Sequence, residues 1–104
     1  MKAFAEILQD LPSIKHLAAM ELMDGDQLIA RIENKPGQAG SLAVYYAVSQ
    51  DSGVISRDEA NRALELYAEH TEDAQLNPGK HPNIDRLFEI ITAELSYSIQ
   101  LEQA

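Results

Sequence analysis

The chain has 104 residues, with 45% hydrophobic and 24% charged side chains, no cysteine, and 17 acidic against 8 basic groups for a formal charge of -9. That length makes one domain with a core of its own, hiding about 65% of the surface that the unfolded chain exposes. The acidic balance repels nucleic acid and anionic membrane surfaces, and a cysteine-free chain excludes disulfides, thiol chemistry and thiolate metal sites, which points to the cytoplasm.

Phe4, Ile7, Leu8 and Leu11 recur at helical spacing, so residues 2–10 read as a short amphipathic helix that Pro12 stops. Glu6 interrupts the apolar run that a signal peptide needs there, and Leu42 to Val48, the longest apolar run, is too short to span a bilayer. Two alternating runs, 16–22 and 26–33, flank Asp24-Gly25 and predict a hairpin. A two-residue Asp24-Gly25 loop pairs Glu21 with Leu28 and mixes the faces. A three-residue Met23-Asp24-Gly25 loop gathers Ala18, Met20, Leu22, Leu28, Ala30 and Ile32 on one face and is the preferred register.

After a loop over 34–40, the run Leu42 to Val48 is apolar on every side and suits a buried helix or a central strand. Ser41 as a cap, interspersed alanines and a stop at Asp51-Ser52-Gly53 favour a helix over 41–50. Ser56-Arg57-Asp58-Glu59 is a capping box, and the stripe Ala60, Ala63, Leu64, Tyr67, Ala68 and Thr71 carries one helix to about residue 74, leaving Leu66 outside it. Asn83 caps a last helix with apolar positions Ile84, Leu87, Phe88, Ile91 and Leu95. From Ser96 the period changes to two, predicting a strand with Tyr97, Ile99 and Leu101 on one face. The sum is an α+β domain spanning 1–104. A small, mostly antiparallel sheet, the hairpin plus the C-terminal strand, packs with about four helices, in a strand order left open.

One segment is not explained by burial or solubility: Asn77-Pro78-Gly79-Lys80-His81-Pro82-Asn83-Ile84-Asp85-Arg86, a rigid basic loop at a helix entrance. Lys80, His81, Arg86 and the amides near Asn83, with His70 on the neighbouring helix end, form a candidate anion-binding corner. Lys35 with the amides of Gly37 to Ser41 forms a second one, without the spacing or lysine of a nucleotide-binding P-loop. The plainer reading is that these prolines and glycines only shape tight connections while the lysines balance an acidic surface.

Glu69, His70, Asp73, His81 and Asp85 are donor types that suit zinc, nickel or manganese, but helical geometry leaves only His70 and Asp73 on one side, so neither a metal nor a cofactor is assigned. His70, Asp73, His81 and Asp85 remain the set for an alternative, a small metal-assisted hydrolase or lyase. For metal-free catalysis the bases are His70 or His81, the orienting carboxylates Asp73 or Asp85 and the nucleophile Ser41, with no triad spacing in support.

At Gly40-Ser41-Leu42-Ala43-Val44-Tyr45, Leu66-Tyr67-Ala68-Glu69-His70-Thr71 and Asn77 to Leu87 the chain resembles a family of roughly hundred-residue bacterial proteins known as a domain of unknown function. The resemblance implies a stand-alone bacterial protein and carries no activity or site assignment with it. The residues themselves favour a non-enzymatic binding protein whose partner is another protein or a small anionic ligand. A homodimer through a free sheet edge or the Leu66 side is the third reading.

Overall fold

The computed structural model describes residues 2–104. In chain order the elements are α1 (Phe4–Asp10), β1 (Leu17–Asp24), β2 (Gln27–Glu33), α2 (Ala39–Ser49), β3 (Val54–Ile55), α3 (Arg57–Leu66), α4 (Glu69–Leu76), α5 (Pro82–Thr92) and β4 (Tyr97–Gln103). The α+β class is as expected, with a four-stranded antiparallel sheet in the order β2-β1-β4-β3. No helix among the described residues is long and apolar enough to cross a membrane.

The hairpin forms in a different register from the one expected. Asp24 pairs with Gln27 around a two-residue Gly25-Asp26 turn, and Gly25 takes φ +60°, which a side-chain-free residue adopts at low cost. A bulge follows: Leu22 faces Ala30 but Met23 faces Leu28, so Ile29 is an extra residue. The insertion reverses parity beyond it. Met20, Leu22 and Ile32 stay in the core, and Leu28, expected beside them, is 51% exposed.

The apolar run at 42–48 is helical, and its lack of an amphipathic period has a simple cause: α2 is central. It packs against α1, α3 and three strands, burying Leu42, Ala43, Val44, Tyr45 and Val48. The helix starts earlier than expected, at Ala39 with Gln38 in the cap position, so Ser41 lies inside the first turn and is not the cap. Gly53 at φ +73° supplies the stop, its N–H returning to the Ser49 carbonyl at 2.8 Å.

The Ser56/Glu59 capping box forms, with Glu59 Oε1 accepting the Ser56 N–H at 3.0 Å. Beyond it, the single helix expected to residue 74 is two. Ala68 adopts φ 52°, ψ -121°, and the His70 N–H closes a tight turn onto the Tyr67 carbonyl at 3.0 Å, which redirects the chain from α3 into α4. Leu66 then packs against the core instead of standing outside it. At α5, Pro82 occupies the first helical position and His81 the cap, in place of Asn83. The fourth strand, β3, is two residues long and pairs with Tyr97 and Ser98. That is too short to leave a period in the sequence.

Candidate functional site

Two Pro-Gly turns far apart in the chain, Pro36-Gly37 before α2 and Pro78-Gly79 before α5, adopt the same backbone device, with Gly37 at φ +91° and Gly79 at φ +92°. Each turns the chain sharply into a helix start. The two starts face a common cleft of about 330 Å³, to which Phe4, His70, Ser41, Lys80, His81 and Asn83 contribute. The two segments expected from the sequence to form separate corners therefore line one cleft. Lys35 is the exception: its ammonium pairs with Glu33 at 3.1 Å, away from the cleft lining.

Asp73 organises the cationic side of the cleft. Its Oδ2 bonds His81 Nε2 at 2.6 Å and lies 3.0 Å from Lys80 Nζ, while Asn77 Nδ2 donates to its Oδ1 at 3.0 Å. The hydrogen bonds from His81 and then Lys80 hold the Asp73 carboxyl at about 2, below its ordinary 3.8. Asp85 turns away, its Oδ2 accepting the Gly79 N–H at 2.9 Å and fixing the loop. The cleft's cations are thus partly satisfied by the protein's own carboxylate, and the Lys80 side chain remains 60% exposed.

Arg86 is half-buried and does not line the cleft. Its Nη1 donates to Asn83 Oδ1 at 2.8 Å and to the Tyr45 hydroxyl at 3.1 Å; that hydroxyl in turn donates to the Asn83 carbonyl at 2.6 Å. Burial pushes the Tyr45 phenol up to about 12 against the opposing pull of Arg86, so it stays a donor at all physiological pH. The trio locks the first turn of α5, and through it Asn83, in place at the cleft edge.

Another part of the lining is aromatic. Phe4 stacks on Tyr67 with ring centres 5.5 Å apart and planes 16° apart, and meets His70 edge-on at 4.9 Å. The Phe4 N–H donates to Glu69 Oε1 at 2.8 Å, tying α1 to the start of α4. A side chain on Gly40 would come within 3.4 Å of the Phe4 ring, so the glycine lets α1 lie against α2. The Tyr67 hydroxyl, driven above its usual range by burial, donates to Ser41 Oγ at 2.7 Å.

The residues considered for metal binding do not gather as a ligand set. Among the described residues no three His, Asp or Glu side chains converge for a metal ion. His70 and His81 have ring centres 5.7 Å apart, Asp73 is bonded to His81, Asp85 to Gly79 and Glu69 to Phe4. His16 lies elsewhere, against Tyr46. Of the anion set, Lys80, His81, Asn83 and His70 share the cleft and Arg86 supports it from behind. Sequence reading missed Phe4 and Tyr67 as cleft residues because each sits on an apolar helical stripe, the same signature as a core position.

A family model described as "Uncharacterized protein conserved in bacteria (DUF2322)" matches residues 4–101. No curated protein and no solved structure matches the chain.

Proposed function

The chain belongs to the DUF2322 family, uncharacterised proteins conserved in bacteria, and from the geometry of its cleft we propose that it is a binding protein for a small anionic ligand. The observation that carries this reading is the convergence of the 37–41 and 80–84 segments, with His70, on one cleft of about 330 Å³, a size within the range of small-molecule sites. Lys80, reachable from solvent, supplies the positive charge, with the His81 ring beside it. His70 lines the facing wall, Asn83 offers an amide edge, and Arg86 acts at one remove by fixing Asn83. A cysteine-free chain supports a cytoplasmic setting.

Asp73 makes the reading quantitative, because an incoming anion competes with it for Lys80 and His81. Removing that competitor with an isosteric, neutral side chain strengthens ligand binding, while removing Lys80 weakens it. In a thermal-shift titration with inorganic phosphate and acetate at about pH 6, the wild type is stabilised, Lys80→Ala loses most of the shift, and Asp73→Asn binds roughly two- to fivefold tighter, the range of one exposed ion pair. Equal shifts in all three proteins would remove the cleft from consideration as the anion site.

A further inference from the structure

We infer that the ligand of this cleft is a small aromatic carboxylate, an inference that rests on the binding reading above and narrows it. The chain has only two Phe, four Tyr and three His. Phe4, Tyr67, His70 and His81 all line this one cleft, so rings are concentrated there well beyond their share of the chain. The rings form one packed group: Phe4 and Tyr67 are near-parallel at 16°, His70 stands edge-on to Phe4 at 84°, and His81 is tilted 51° to His70. Tyr67 is itself buried, so the partly exposed Phe4, His70 and His81 rings are the ones a flat π-system in the cleft meets, whereas a puckered ring of equal size gains only apolar contact. Gly37 and Ala39 add little bulk to the lining, while Gly40 is covered by the Phe4 ring.

The charge at the other end selects the acid group. Lys80 and His81 both bond Asp73, so the Lys80 ammonium is already countered by one carboxylate. A carboxylate monoanion meets less repulsion than a phosphate dianion in a protein already at -9. With the carboxylate at Lys80 and His81, the ring of a one-ring acid reaches the Phe4 and His70 wall within the same cleft.

The test is a calorimetric or NMR-detected titration of the full chain with benzoate, cyclohexanecarboxylate and inorganic phosphate, in the wild type and in Phe4→Leu. Benzoate is expected to bind about three- to tenfold tighter than cyclohexanecarboxylate, which matches it in charge and size. Phe4→Leu is expected to erase that ratio, and His70→Leu is expected to erase it if Phe4→Leu does not fold. Equal affinity for the two carboxylates in the wild type, or a ratio that survives the substitution, would overturn the aromatic assignment even where phosphate binds. Failure of all three ligands to bind would instead bring down the binding reading on which it rests.

Discussion

Asp73 is the residue on which the cleft's electrostatics turn. Its folded-state pKa, about 2, lies below the ordinary 3.8 because His81 and Lys80 hydrogen-bond the ionised form. A depressed carboxyl contributes stability that is fully present above its unfolded pKa and is lost as pH falls through the folded value, so the window runs from about pH 4 down to about pH 2. Wild type and Asp73→Asn, compared by thermal or urea unfolding, should therefore differ at neutral pH, with the wild type more stable. The difference should shrink across that window and be gone at its lower end. A gap that stayed constant with pH would mean that Asp73 acts through shape and not through charge. The same residue shows what a linear reading cannot see: Asp73, Lys80 and His81 were all named from the sequence, but their sharing of a single carboxylate oxygen depends on how the loop folds back over α4.

At the scale of the elements, two helix ends carry left-handed backbone on residues with side chains. Ala68, at φ 52° and ψ -121°, breaks the stripe between α3 and α4, and Glu94, at φ 54°, closes α5 with the Leu95 N–H returning to the Ile90 carbonyl at 2.9 Å. Glycine adopts such angles without the Cβ clash. Ala68→Gly and Glu94→Gly should each raise stability, by about 1 kcal/mol or somewhat less after the entropy that glycine adds to the unfolded chain. Ala68 should gain more, because its ψ lies outside the usual left-handed basin. Denaturant unfolding checks both; a loss of stability in either would show that the turn is not strained. The break also explains where sequence reading failed. The stripe from Ala60 to Thr71 is continuous, and nothing in its periodicity marks Ala68, since the turn is imposed by Tyr67 packing under Phe4 and by Glu69 reaching the Phe4 amide. The helix over 41–50, the capping box at Ser56 and the C-terminal strand were legible because caps, breakers and periods are local signals. The hairpin was half legible: Met20, Leu22 and Ile32 lie in the core as expected and Leu28 does not, because the bulge at Ile29 that resets the register was not encoded in any turn residue.

Seen whole, the molecule gathers Lys80, two histidines and the Phe4 ring at one cleft of a strongly acidic chain. Its net charge opposes the approach of any anion, so affinity must come from groups within about a Debye length of the ligand, roughly 8–10 Å at physiological salt. Lys80, His81, His70 and, behind them, Arg86 with its neutral partners Tyr45 and Asn83 are brought together by four segments: α2, α4, α5 and the loop between α4 and α5. The N-terminal helix completes the cleft through Phe4 although α1 buries no residue of its own. The account's central claim is that the two Pro-Gly loops form one ligand site. It is tested most directly by titrating benzoate or inorganic phosphate into isotope-labelled protein and following backbone amide shifts. Saturable shifts confined to 37–41, His70 and the amides from Gly79 to Ile84 are predicted, with the outer face of the sheet unmoved. Absence of saturable shifts in those segments, or their appearance on the sheet alone, would contradict it.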